Sequence, residues 1–408
     1  MVPNEWKMES FGKVVALSRT KHDPKKSMIK YPCIELEHLT QETGQIIGYT
    51  DSTRLESTKN KFKAGNVLFG KLRPYLKKYA KPDFDGVCSS EIWVFLPTKT
   101  LNEDYLFQFV QTDTFIAEAN KSAGSKMPRA EWKVISELLF PLPPLPEQKK
   151  IAQILSTWDK AITTTEKLLA NSEQQKKALV QQLLTGKKRF SKLSTSFNYT
   201  KTRYGTIPAD WEHPAIRDIC SQISEKNSTK ANYPVLSCSK YDGFVDSLKY
   251  FKKKVYSDDT SAYRLIPRGC FGFPSNHIEE GSIGLQNSHD FGIVSPIYVV
   301  FRANPNRVNN QYLFALLKTE HYRQIFSAAT NASVDRRGSL RWDEFSSIHV
   351  PLPTIEEQNE IASTLSLVDQ EIKMLKQTLD HLKQEKKALM QQLLTGKKRV
   401  KVAEINNA

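Results

Sequence analysis

Reactive side chains are plentiful, with eight histidines, five cysteines and forty-four carboxylates in 408 residues, but none has the spacing a reaction needs. Thr185-Gly186-Lys187 and Thr395-Gly396-Lys397 look like the end of a phosphate loop. That loop needs an earlier glycine, and Gln181 and Gln391 stand in its place. Gly281-Ser282-Ile283-Gly284 lacks the third glycine of a dinucleotide-binding turn. Asp83 and Glu91 hint at a metal nuclease, but Trp93 occupies the position of its lysine. No Asn-Pro-Pro-aromatic or Asp-Pro-Pro-aromatic tetrapeptide is present, so amino-methyltransfer lacks its residues. The histidines show no HExxH pattern, and Ser275 and Ser295 sit in no nucleophile elbow. Cys33, Cys88, Cys220, Cys238 and Cys270 form no CxxC pair, which argues against a zinc site or disulfide framework and for a reducing cytosol. The expectation is a chain that is not an enzyme by itself, with no metal and no cofactor of its own.

The chemistry that remains is recognition of a polyanion. Formal net charge is +15 and pI about 9.3, which favours nucleic acid. Lys71, Arg73, Tyr75 and Lys77 mix cations with an aromatic around Pro74, and Lys126 and Arg129 follow on a second loop. Such cations donate to guanine edges or clamp phosphates. Further along, Asn276, His277, Gln286 and Asn287 offer groups suited to base edges, and Arg336, Arg337 and Arg341 supply charge. Lys252-Lys253-Lys254 is either a phosphate contact or solvated charge.

Two long helices must position these loops. Residues 141–189 and 351–399 align without a gap, most closely over Lys-Lys-Ala-Leu-x-Gln-Gln-Leu-Leu-Thr-Gly-Lys-Lys-Arg. Pro143, Pro144 and Pro146 mark the first start, Thr354 with Glu357 has capping-box spacing, and Gly186 and Gly396 suit the C′ position. Between these ends apolar residues recur with a period near seven. Ile151, Leu155, Trp158, Ile162, Leu179 and Leu183 in the first copy, and Ile361, Leu365, Ile372, Leu379, Leu389 and Leu393 in the second, form a coiled-coil seam. Lys176 and Lys386 interrupt it at equivalent places, and snorkelling of their stems is expected. Each helix of about 38 residues spans roughly 57 Å, enough to separate two globular bodies.

Those bodies share markers in the same order. Pro-x-x-Trp opens both (Pro3 to Trp6, Pro208 to Trp211), and Tyr31-Pro32 recurs as Tyr233-Pro234. Tyr105-Leu106-Phe107 recurs as Tyr312-Leu313-Phe314, and Trp132 as Trp342. A helix is expected over 102–120. The predicted organisation is an α/β chain: globular units at 1–140 and 207–350, helices at 141–189 and 351–399, an exposed basic linker at 190–206, and a tail at 400–408. No apolar run approaches the ~18 residues of a membrane span, which points to a cytoplasmic protein without membrane contact.

The repeated Pro-Leu-Pro-(Pro/Thr)-x-x-Glu-Gln-x-x-Ile-Ala and Lys-Lys-Ala-Leu-x-Gln-Gln-Leu-Leu-Thr-Gly-Lys motifs resemble those of the specificity subunit of type I restriction–modification systems. The resemblance implies two target recognition domains, each reading half of a bipartite asymmetric site on double-stranded DNA. It implies a pseudo-twofold repeat whose helices pair as an antiparallel coiled coil, set the gap and dock two methyltransferase subunits. S-adenosylmethionine, ATP and Mg2+ then belong to partner chains, including restriction/translocase subunits. The alternative is a coiled-coil adaptor joining two protein-binding domains without DNA.

Overall fold

The computed structural model describes residues 3–26, 29–121, 127–194, 196, 198–229, 231–240, 243–330 and 338–402. The helices form where the repeat places them, at Leu145–Leu183 and Ile355–Leu393. Contacts divide the chain into two compact units: Met1–Lys167 with Lys376–Ala408, and Leu168–Leu375. This division cuts each helix and so differs from boundaries drawn along the chain.

In the first unit a four-stranded antiparallel sheet runs in the order Val15–Leu17, Ile92–Pro97, Val67–Gly70, Tyr79–Ala80. A five-stranded sheet orders Lys21–His22, Lys59–Phe62, Gly86–Cys88, Pro32–Ile34 and Thr50–Asp51, with one parallel pairing between Pro32–Ile34 and Gly86–Cys88. The expected helix over 102–120 is two, Glu103–Phe109 and Asp113–Lys121. Thr112 causes the break: its hydroxyl accepts from the Phe115 amide and starts a new helix. Phe11, Phe69, Phe95, Phe115 and Phe140 fill the core, together with Ile151 and Leu155 of the first helix and Leu393 and Leu394 of the second.

The second unit repeats the antiparallel sheet with Cys220–Ile223, Tyr298–Ala303, Cys270–Pro274 and Gly284–Gln286. Phe271, Phe273, Phe301 and Tyr312 form its core with Leu183 and Leu184 of the first helix and Ile361, Ala362 and Leu365 of the second. Within the expected linker, Tyr199–Thr202 and Gly205–Pro208 pair as a hairpin, and Phe190 packs on the core. Tyr199, Thr200 and Lys201 of the first strand are all exposed, so its polar side chains are solvated on both faces. Most described residues of this link are exposed, as expected, and the hairpin is the structure it adds.

The helix seam is also corrected in part. Ile151, Leu155, Leu183, Ile361, Leu365, Ile372 and Leu393 are buried, while Trp158, Ile162, Leu179, Leu379 and Leu389 are half-buried. All the buried ones except Ile372 belong to the cores of the units. The apolar stripe therefore serves chiefly as the core-facing side of an amphipathic helix. Inside the first unit Lys386 pairs with Asp159 at 2.6 Å and Lys383 with Glu166 at 2.8 Å. Inside the second, Lys176 pairs with Asp369, and Ser172 donates to Glu371 at 3.3 Å. Partner numbers fall as positions on the first helix rise, so the segments run antiparallel within each unit. Both seam lysines are ion-paired; Lys386 is held inside, while the head of Lys176 reaches the surface as snorkelling predicts.

Each unit closes with the same latch. Glu147, in the first turn of its helix, accepts from Trp6 Nε1 at 3.0 Å and from Arg399 Nη2 at 2.8 Å. Glu357 accepts from Trp211 Nε1 at 3.1 Å and from Arg189 Nε at 2.6 Å, and Arg189 also forks onto Asp210 at 2.9 and 3.1 Å. Gly186 and Gly396 have φ of +68° and +74°, and a Cβ on either would strike Pro208 or Pro3. Both the left-handed turn and the close approach thus require glycine. The next residue of each helix, Gln148 or Gln358, is wholly buried. Gln148 accepts from the Asn102 amide and donates to Thr100 and Pro143 carbonyls. Gln358 does the same with Asn309, Arg307 and Pro353. Thr354 accepts from the Glu357 amide at 3.4 Å, but the Glu357 carboxylate serves the latch instead of completing a capping box. The repeated motifs are therefore joints that fix where the loops begin.

Candidate nucleic-acid interface

In the first unit the strand Val67–Gly70 ends at the basic turn. A 3-10 turn, Pro74–Leu76, is flanked by Arg73 and Lys77, both left-handed at φ 51° and 49°. Such backbone is uncommon for long side chains and persists where surroundings enforce it. Here the Arg73 amide donates to the Pro128 carbonyl at 2.7 Å and the Ala130 amide to Lys71 at 2.8 Å. The two predicted loops are thus one ladder, which brings Lys71, Arg73, Tyr75 and Arg129 together. Arg73 is exposed, Tyr75 is 53% exposed, and Lys71 is half-buried. Arg129 Nε donates to Glu91 at 3.1 Å.

Lys77 leaves this group. Its ammonium meets Glu42 at 3.0 Å and Asp113 at 3.7 Å. Burial works against its charge, but these carboxylates raise its pKa overall. It lines a cavity of about 1170 Å3 with Asp113, Asp159, Lys383, Lys386 and Met390. Lys126, Arg336 and Arg337 lie outside the described residues.

The second unit uses the same plan. The loop after Cys270–Pro274 is tied to the segment before Trp342, because the Leu340 amide donates to the Ser275 carbonyl at 2.8 Å. Half-buried Asn276 and His277 therefore neighbour exposed Arg341. His277 Nδ1 is 3.1 Å from Glu280, and His277, Glu279 and Glu280 are close enough to meet at one cation.

Gln286 and Asn287 do not join them. Cys270 pairs with Gln286 and Gly272 with Gly284, so residues 286–287 lie at the opposite end of that hairpin from residues 276–277. Gln286 is also wholly buried, donating to Ile266 and His289 carbonyls and accepting from the His289 amide. Its expected role at a base edge is corrected to support of a turn. Asn287 is exposed. The segment from Leu248 to Val255 is exposed throughout, and its lysine run is accompanied by Leu248, Tyr250, Phe251 and Val255. Its signal was the mixture of aromatics and lysines.

Comparison with known proteins then decides the family. The family model for the type I restriction modification DNA specificity domain matches residues 3–174 and again 208–384. The chain belongs to this family. It is 28% identical to the type I restriction enzyme MjaVIII specificity subunit of Methanocaldococcus jannaschii over 74% of this chain and 72% of that protein. It is 26% identical to the putative MjaX specificity subunit of the same organism over 98% and 95% of the two chains. Its fold is similar to a type I restriction-modification S subunit from M. genitalium, with TM-score 0.57, 15% identity, and 95% and 96% coverage. The chain is thus a type I restriction–modification specificity subunit, with two repeated mixed helix–sheet domains and long helices. Among the described residues, no helix is long and apolar enough to cross a membrane.

Proposed function

We propose that each globular part reads one half of a bipartite, asymmetric site on double-stranded DNA. The long helices fix the gap between half-sites and dock two methyltransferase subunits. The observation that carries this reading is the latch built twice: the frame repeats, while the loops mounted on it differ. A repeated frame with divergent loops suits two readers of different sequences. Lys71, Arg73, Tyr75 and Arg129 serve the first half-site, and Asn276, His277 and Arg341 the second; Asn287 is assigned a more peripheral contact. Linking two modest readers raises avidity by ~10²–10⁴ when both engage. The chain itself binds no cofactor in this scheme. S-adenosylmethionine, ATP and Mg2+ act on methyltransferase and restriction/translocase partners.

The test is duplex binding by the purified full chain, using the sequence methylated in the host genome as probe over a salt series. Phosphate contacts give a steep negative slope of log affinity against log salt. Arg73→Ala is expected to weaken cognate binding by ~1–3 kcal/mol if it contacts a base. Equal loss on random DNA would make it a phosphate contact. Binding without salt dependence, or none at all, would favour the protein-binding adaptor.

A further inference from the structure

The second unit displays a segment for which the first has no counterpart in chemistry. In both units a short strand ends in an Asp-Ser pair whose serine is buried. The Ser52 amide donates to the Tyr31 carbonyl at 3.0 Å, and the Ser247 amide to the Val235 carbonyl at 2.9 Å. After Ser52 the chain reads Thr-Arg-Leu-Glu-Ser, but after Ser247 it reads Leu-Lys-Tyr-Phe-Lys-Lys-Lys-Val-Tyr.

Four side chains of this second segment are apolar and open to solvent. Leu248 is 50% exposed, Tyr250 47%, Phe251 43% and Val255 47%. Single exposed apolar residues need no explanation, but a cluster within one short segment does. The Tyr250 and Phe251 rings meet edge-on at 5.1 Å between centroids. Lysines interleave with them, and from Ser247 to Tyr256 there are four lysines and no acid. Lys249 pairs with Asp246 and Lys254 with Asp258. Lys252 and Lys253 are exposed and, among the described residues, in no ion pair. Lys252 is held left-handed at φ 54° where the short helix Ser247–Phe251 ends. Both ends of the segment are anchored, by Ser247 as above and by the Ser257 amide, which donates to Tyr263 Oη at 3.3 Å.

An apolar tip ringed by unpaired cations fits a partner with negative charge outside and flat apolar faces inside. Duplex DNA has both. We infer that Tyr250 and Phe251 wedge between base pairs of the half-site read by the second unit, while Lys252 and Lys253 hold the flanking phosphates. Apolar wedges of this kind unstack a base step and kink the duplex. The inference rests on the proposed reading that this unit binds DNA.

The experiment uses the full chain and the host-methylated duplex, with 2-aminopurine placed along the second half-site. Wild type is expected to raise the probe's fluorescence at one step. Tyr250→Ala with Phe251→Ala is expected to abolish that rise and to weaken binding by about tenfold or more, as loss of aromatic stacking does. Its salt slope stays that of wild type. Lys252→Ala with Lys253→Ala is expected to flatten the slope by about 2 and to weaken cognate and random DNA alike. Tyr250→Leu with Phe251→Leu keeps the apolar volume without the rings, and a melting curve checks folding of every variant. If wild type binds and the aromatic variants match it in affinity and fluorescence, the wedge is wrong and the DNA reading stands. If they keep DNA affinity but no longer co-purify with the methyltransferase subunit, the segment is a protein-docking surface and the wedge is again wrong. If wild type shows no salt-dependent binding to any duplex, the DNA reading and the wedge fall together.

Discussion

The latches of the two units have the same partners and different depths. Arg189 is 10% exposed and forks between Glu357 and Asp210, whereas Arg399 is 42% exposed and reaches Glu147 and Glu5. Both glutamates are buried and both accept from a tryptophan. The equivalence shows that the motif exists to seat one glutamate. The difference shows that solvent shares the work only in the first unit. Arg189→Ala strands a buried carboxylate and is expected to cost ~3–5 kcal/mol. Arg399 is itself open to solvent, so Arg399→Ala is expected to cost clearly less than Arg189→Ala. Urea unfolding of the full chain checks both. Equal losses would break the comparison and locate the energy in the tryptophan bond.

The seam lysines differ the other way. Lys386 is 11% exposed and bonds Asp159 and Gln111 Oε1, while Gln108 Nε2 donates to Asp159 at 2.7 Å. At the equivalent place Lys176 is 37% exposed and its partner Asp369 54%. Lys386→Met unpicks a network, with an expected cost of ~1–3 kcal/mol. Lys176→Met removes a surface pair worth ~0–1 kcal/mol. Denaturation midpoints of the two variants sharpen the contrast. A larger loss at Lys176 would overturn it.

Local patterns were legible in the sequence where the chain decides structure locally. The two helices, their C′ glycines and the strand around Ile92 all follow from periodicity and terminators within a few residues. The joints were not legible, because Arg399 and Glu147 are far apart in the chain and only the fold brings the end of one helix to the start of the other. The same reason hid the fate of Lys386, whose partner is 227 positions away by number (386 − 159). Gln286 misled because amides suit both adenine and a buried turn, and only strand register tells them apart. Arg73 and Arg129 belong to separate loops in the sequence, yet the backbone ladder through Pro128 makes them neighbours.

One further substitution separates the units. Two residues beyond each latch tryptophan stands Met8 or His213, and two before each repeated proline stands Leu139 or His349. His213 and His349 lie with ring centroids 5.3 Å apart, and Tyr204 flanks His213 at 6.3 Å. Burial lowers the His213 pKa below its ordinary 6.5, and the neighbouring His349 lowers it further. The unfolded chain therefore binds this proton more readily than the folded one. The stability is intact above the ordinary histidine value and is lost as pH falls through it. The second unit is expected to weaken between about pH 7 and 5, and His213→Met, which installs the residue of the first unit, is expected to flatten that dependence. Melting curves of wild type and variant across this range measure it. A variant that loses stability as steeply as wild type would show that the acid response comes from elsewhere and that the histidine pair is only packing.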